Sequence, residues 1–218
     1  MGRTPTVDAM ALIHKATLTP SKLELLTAWL PSRPWSQGTT EVKQLGAYRF
    51  DDPAGQVGIE VILLQTAEGS VLHVPLTYRN APLAGAEDFL VGTLEHSVLG
   101  LRWVYDGCGD PIWAEALATS VLAGGTQAEE FVDQGDRLEP REPSATVSGS
   151  GTPGSPVAPI DAVTSHDDGA TTVVRAGELE LVVVRVVGAE VPAEETLTGR
   201  WAAGGPAVLA GVRSAPGD

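Results

Sequence analysis

A single cysteine in 218 residues rules out an internal disulfide and any zinc site built from several thiolates. Basic residues are also scarce: Lys and Arg together number 14 against 28 acids, leaving a formal charge of −14. A chain so short of cations offers no stripe for a phosphate backbone, so nucleic acid is not expected as a partner. No apolar run reaches the roughly 18 residues of a membrane span, and the first residues, M-G-R-T-P-T-V-D, lack the apolar core of a signal peptide. The expectation is a cytoplasmic protein without a membrane partner. The four His, at positions 14, 73, 96 and 166, show no i, i+4 pair and no ligand-like cluster, so neither a metal nor a cofactor is expected.

What is present is enough apolar residue, 43%, to bury a core. Residues 11–18 suit a short strand. A helix start follows, with Thr19 as the cap, Pro20 in the first turn and Leu23, Leu26 and Leu30 at helical spacing up to Pro31. From Val42 the period drops to two, and turns at D-D-P-A-G (51–55) and A-E-G-S (67–70) divide the run into a three-stranded antiparallel meander. Pro75 lacks a ladder donor, which places the third strand at an edge or a bulge. Thr93–Val98 and Leu101–Tyr105 read as two further strands, with Val98, Leu101 and Val104 expected to pack. Asp110 then caps a second helix with Pro111 at its first position, and Ile112, Trp113, Leu117 and Val121 form its buried stripe until Gly124-Gly125. Residues 126–170 hold nine acids against two Arg, half of the net charge, around S-A-T-V-S-G-S-G-T-P-G-S-P-V-A-P. Composition reads this stretch as a linker with little order. Thr171–Arg175, Leu179–Val187, Thr196–Trp201 and Ala207–Arg213 are strand-like, the second apolar enough for a central strand. The expected fold class is α+β: a curved antiparallel sheet with two helices, and C-terminal antiparallel strands after a long linker. The domain division is 8–128, then the linker 129–170, then strands over 171–213 that pack on or extend the first domain.

Few motifs carry chemistry. Gly149–Gly154 satisfies G-x-G-x-x-G, but no strand precedes it, no helix follows, and Pro153 stands where amides should face phosphates. Cys108 precedes a helix N-terminus, where a thiol can be activated, yet Asp106 and Asp110 flank it and oppose a thiolate. His166-Asp167-Asp168 matches part of a kinase catalytic loop without a phosphate-clamping loop or a β-strand Lys. No residue is assigned a catalytic role. Tyr78, Arg79, Arg102, Trp103, Tyr105 and Trp113 concentrate aromatic and Arg side chains of the kind enriched at interfaces. With His96 and Asp106 nearby in sequence, the candidate ligand- or partner-binding residues are Tyr78, Arg79, His96, Arg102, Trp103 and Asp106.

Four blocks in order, A-T-L-T-P-S-K-L-E-L-L-T-A-W-L (16–30), L-G-A-Y-R-F-D-D-P-A-G-Q-V-G-I-E (45–60), H-V-P-L-T-Y-R-N-A-P-L (73–83) and G-T-L-E-H-S-V-L-G-L-R-W-V-Y-D-G-C-G-D-P (92–111), resemble the maltokinase N-terminal cap-like domain of actinobacteria. The resemblance spans about residues 8–128. In that family such a cap precedes a kinase that phosphorylates maltose with ATP, on a route from trehalose to α-glucan. Here an acidic segment and four strands stand where kinase lobes would follow, so kinase activity does not carry over. The resemblance implies a stand-alone, non-catalytic interaction or regulatory module working beside a sugar kinase or another enzyme of trehalose and α-glucan metabolism. The alternatives are a small-ligand or carbohydrate-binding protein using Tyr78, Arg79 and Trp103, and a small enzyme built on Glu95, His96 and Asp106.

Overall fold

The structure is a computed structural model that describes the backbone of residues 11–14 and all of residues 16–133, 137–202 and 204–216. Its two six-stranded antiparallel sheets and two helices make an α+β fold. The first sheet contains β2 (Leu18–Thr19), β3 (Val42–Phe50), β4 (Gly58–Thr66), β5 (Val71–Arg79), β6 (Leu90–His96) and β7 (Gly100–Asp106), in the order β2-β6-β7-β5-β4-β3. The second contains β10 (Ala145–Gly149), β11 (Thr164–Asp168), β12 (Thr171–Ala176), β13 (Leu179–Val184), β14 (Glu195–Trp201) and β15 (Gly204–Ser214), in the order β10-β14-β15-β13-β12-β11. A small third sheet joins β1 (Ala11–His14), β8 (Glu130–Asp133) and β9 (Leu138–Arg141).

Helix α1 (Lys22–Trp29) begins two residues later than its sequence predicts. Thr19 is in β2, paired with Glu95, and Ser21 is the cap: its hydroxyl accepts from Glu24 N while the Glu24 carboxylate accepts from Ser21 N. This reciprocal box satisfies two amides at once, more than a lone Thr cap would. Leu23 is left 40% exposed, while Leu26, Trp29, Leu30 and Trp35 cover one face of the first sheet over Ile62, Leu64, Leu72, Val74 and Leu76. The period of two in β4 sends Ile59, Val61 and Leu63 to the opposite face. There they meet helix α2 (Pro111–Leu122), capped by Asp110 as its sequence predicts, whose Trp113, Ala114, Leu117, Ala118 and Val121 are buried between the two sheets. A helix apolar around most of its circumference is stable only when enclosed in this way. The C-terminal strands thus share the core of the first sheet.

The segment read as a linker is instead largely built into the fold. Ala145 and Val147 of β10 alternate inward with outward Thr146 and Ser148, the pattern of a half-buried strand, and β11 closes the far edge of the second sheet with polar side chains. A charged edge strand resists pairing with other chains, which gives its acidity a structural role. Residues 150–163 hold no regular strand, yet Ile160 is buried and its amide donates to the Glu115 carboxylate of α2 at 3.0 Å. The glycines of the G-x-G-x-x-G match also have a mechanical cause. Gly151 N donates to Val121 O and Gly125 N to Ser120 O, so backbone caps the last turn of α2, and a Cβ at Gly149 or Gly151 would strike the carbonyls of Ser120 or Leu122.

Pro75 sits neither at an outer edge nor at a bulge. β5 pairs with β4 along one side throughout; along the other, Leu76–Arg79 pair with β7, while Val71 and His73 bond to Val187 and Arg185 in the segment that follows β13. By strand alternation the missing donor of Pro75 faces the gap between these two partners, where none is needed. Because β10 and β11 belong to the second sheet, deleting residues 145–168 is expected to abolish cooperative unfolding or lower Tm by at least about 10 °C; an unchanged thermal melt would show the segment to be dispensable.

Candidate interaction surface

The residues from Leu90 to Trp113 form a hairpin, a tight turn and the start of α2. The turn is set by Asp106, whose carboxylate accepts from Cys108 N at 3.1 Å and from Arg185 Nη2 at 2.6 Å. Arg185 is 1% exposed; its Nε donates to Thr172 Oγ1 at 2.7 Å, and its guanidinium carbon lies 4.8 Å from the Trp35 ring centroid. Asp106 is therefore a buried tie between the two sheets and not part of a surface. Cys108 beside it is fully buried, and burial pushes its thiol well above the ordinary range, which removes it as a nucleophile.

His73 belongs to the same junction. Val184 O can only accept, so Nδ1, 2.8 Å away, carries the proton, and Nε2 accepts from the Tyr48 hydroxyl at 2.9 Å. Burial, with Arg185 nearby, lowers the ring to about 4 and keeps it neutral.

The remaining candidates are divided between the two faces of the first sheet. Tyr78 donates to Glu60 Oε2 at 2.8 Å on the α1 side, where Lys22 at 2.5 Å and Arg49 at 3.3 Å also engage that carboxylate. Burial alone would raise Glu60, but these cations and hydrogen bonds hold it down at about 2. Arg79 lies on the other face, gripping Asp110 through Nε and Nη2 at 2.7 Å each, while Thr77 donates to the same carboxylate at 2.7 Å. Asp110, expected only as a helix cap, thus also anchors β5 to α2. His96 turns the hairpin: its Nδ1 accepts from Leu99 N at 3.1 Å. The Glu95, His96 and Asp106 set is not brought together. His96 pairs with Gly100 and Asp106 lies six residues further along β7, about 20 Å at ~3.3 Å per residue. The side chain of His14 lies outside the described residues.

Sequence reasoning missed the hairpin's outer surface. Val98, Leu99 and Leu101, which a turn flanked by strands led us to expect in part as core, are 57%, 45% and 40% exposed, and Leu90 is 38% exposed; only Val104 is buried as predicted. Leu101 and Trp103 share one face of β7, with Arg79 directly opposite Trp103 and Leu90 opposite Tyr105. Arg102 projects to the other face. The hairpin therefore carries exposed apolar side chains from Leu90 past half-buried Trp103, then Leu101, to the Val98-Leu99 tip, flanked on the same face by exposed Thr93 and Glu95, on a chain of strong negative charge. Among the described residues no three His, Cys, Asp or Glu are grouped to hold a metal, and no helix is long and apolar enough to cross a membrane.

Residues 29–110, from the end of α1 through β3–β7 to the cap of α2, match the family model of the maltokinase N-terminal cap domain. No curated protein matches the chain.

Two outcomes follow from the junction. Asp106→Ala leaves Arg185 buried without its counter-charge and should cost about 3–5 kcal/mol in denaturant unfolding; a loss within the range of surface substitutions would remove this pair from the core. His73 titrates at 6.5 unfolded and at about 4 folded, so its contribution is present above pH 6.5 and lost as pH falls from 6.5 to 4. Asp51, raised to about 6 by burial, has the opposite sign between pH 6 and its ordinary 3.8. The comparison with His73→Gln isolates the histidine: the stability gap between native protein and variant should shrink as pH falls from 6.5 to 4, and a gap independent of pH would contradict the neutral buried ring.

Proposed function

Taking residues 29–110 as a domain of the maltokinase N-terminal cap family, we propose that the protein is a non-catalytic interaction or regulatory module of the cytoplasm, associated with a sugar kinase or another enzyme of trehalose and α-glucan metabolism. The observation that carries this reading is the exposed apolar strip Leu90, Val98, Leu99 and Leu101 beside Trp103. Isolated exposed apolar residues are ordinary, but four on one two-stranded hairpin with an aromatic between them have the composition of an interface centre. The matched family is described as an N-terminal cap of maltokinases, which supports a sugar kinase as the class of partner. Arg102, half-buried on the reverse face, lies outside this strip.

The alternative binder built on Tyr78, Arg79 and Trp103 gains no support from the geometry. Tyr78 and Arg79 face opposite ways and are committed to Glu60 and Asp110.

Affinity capture from the native cytoplasm with mass spectrometry tests the proposal. The full chain should retain a carbohydrate-active enzyme, and a Leu99→Ser, Leu101→Ser variant should lose it while its unfolding free energy stays within about 1 kcal/mol, both side chains being exposed. Equal capture by the variant and the native protein would place the contact elsewhere, and capture of no such enzyme would sink the reading.

A further inference from the structure

On the opposite flank of the first sheet, the loop from Trp35 to Glu41 and the β4–β5 turn from Thr66 to Ser70 enclose a cleft of about 420 Å³. That volume falls within the ~300–1,000 Å³ typical of small-molecule sites. Its floor is made by Trp35, Leu72 and Val186, at the point where Leu72 and Val186 bridge the two sheets. Small-molecule sites favour such seams, because two elements supply walls that neither could supply alone.

The cleft is preformed. Trp35 is held edge-on by Trp29, with ring centroids 5.8 Å apart, and covered on a face by the Arg185 guanidinium. Ser36 ties the loop down by donating to Leu30 O at 2.6 Å. Gln37 then adopts φ +55 and Gly38 φ +74 to swing the chain outward. Gln37 closes the 3-10 turn Pro34–Ser36 as its left-handed cap, its amide donating to Pro34 O, and this end of the turn sets the direction of the cleft wall.

The lining identifies the ligand's chemistry. It contains no Lys, Arg or His, so it has nothing to neutralise a phosphate or carboxylate. It presents instead the carboxylates of Glu41 and Glu68, the Gln37 amide, and the hydroxyls of Thr40 and Ser70 above the apolar floor. Thr66 lines the wall as well, and its buried hydroxyl has no hydrogen-bond partner among the described residues, a condition that native proteins seldom leave without a reason. Carboxylate oxygens accept from paired hydroxyls, hydroxyls both donate and accept, and a small apolar floor suits the C–H face of a ring. We infer that this cleft is a binding site for a neutral polyhydroxylated small molecule, a sugar or cyclic polyol of one or two rings. The site is separate from the hairpin strip and does not depend on the role proposed for that strip.

Isothermal titration of the full chain with glucose, a glucose disaccharide and myo-inositol, against glucose 6-phosphate and putrescine as counter-probes, tests the site. Saturable binding of at least one neutral probe is expected, with the phosphorylated sugar and the diamine at least about tenfold weaker. Glu68→Gln and Thr40→Ala, both at exposed positions, should each weaken that binding about tenfold, the effect of removing a hydrogen bond to or from a charged or well-placed group. The Leu99→Ser, Leu101→Ser variant should bind as the native protein does, which separates this result from that of the capture experiment. Absence of saturable binding by every neutral probe, tighter binding of putrescine, or indifference to both cleft substitutions would each overturn the inference.

Discussion

Arg185 joins the two halves of the molecule through a fully buried side chain. It follows the last residue of β13, yet its guanidinium reaches Asp106 at the end of β7 and stacks on Trp35 in the loop after α1. A guanidinium removed from water demands a counter-charge and further acceptors. Asp106 supplies the first and Thr172 the second, and Asp167 in turn accepts from Thr172 at 2.6 Å. Burial pulls the arginine's pKa down, but Asp106, Cys108 and Asp167 together more than offset it and keep the pKa above its ordinary value. The backbone repeats the same tie, because Arg185 O accepts from His73 N while Arg185 N donates to Ala170 O. The turn that starts α2, the open edge of β5 and the loop that floors the polar cleft are all fixed around one charged side chain.

Polar groups buried in pairs recur across the fold, each linking elements remote in sequence. Asp110 joins β5 to α2, Glu60 joins α1 to β3 and β5, and His73 joins Tyr48 of β3 to the end of β13. Apolar packing is non-directional and would tolerate several placements of α2 between two sheets. These bonds select one, since any slip leaves a buried charge or ring nitrogen unsatisfied. The same commitment buries Asp106 and ties the half-buried Tyr78 and Arg79 to internal carboxylates.

Much of the fold was readable where one residue type dictates local geometry. Alternation from Val42 to Arg79 located the meander, Asp110-Pro111 located the start of α2, and the apolar run at Leu179 marked a central strand. The readings that failed did so where a tertiary partner decides. Thr19 looked like a cap until Ser21 and Glu24 formed a box that only the turn into α1 makes possible. Ala145 and Val147 carried a strand period within a stretch whose glycines and prolines suggested disorder, and those glycines prove necessary because a helix end presses against them. The candidate site was less legible than the fold. Arg185 is a lone cation in an apolar strand, and nothing local announces an aspartate 79 residues earlier as its partner. The exposed tip of the hairpin did carry a signal, apolar residues on both sides of a turn glycine, which is an unusual place for them unless something covers them.

The capping of α2 by Gly151 also bears on the order in which the chain can become native. The helix offers one side to strands that precede it and the other to strands that begin only at Ala145, and the Val121 carbonyl waits for the amide of Gly151, 30 residues downstream. Emerging from a ribosome, the first sheet and α2 would present a complete apolar surface long before its cover exists. Contacts this distant in sequence form slowly and leave such intermediates prone to association. The acids concentrated between residues 129 and 168 are synthesised within that interval, and their mutual repulsion would keep nascent chains apart until the second sheet closes.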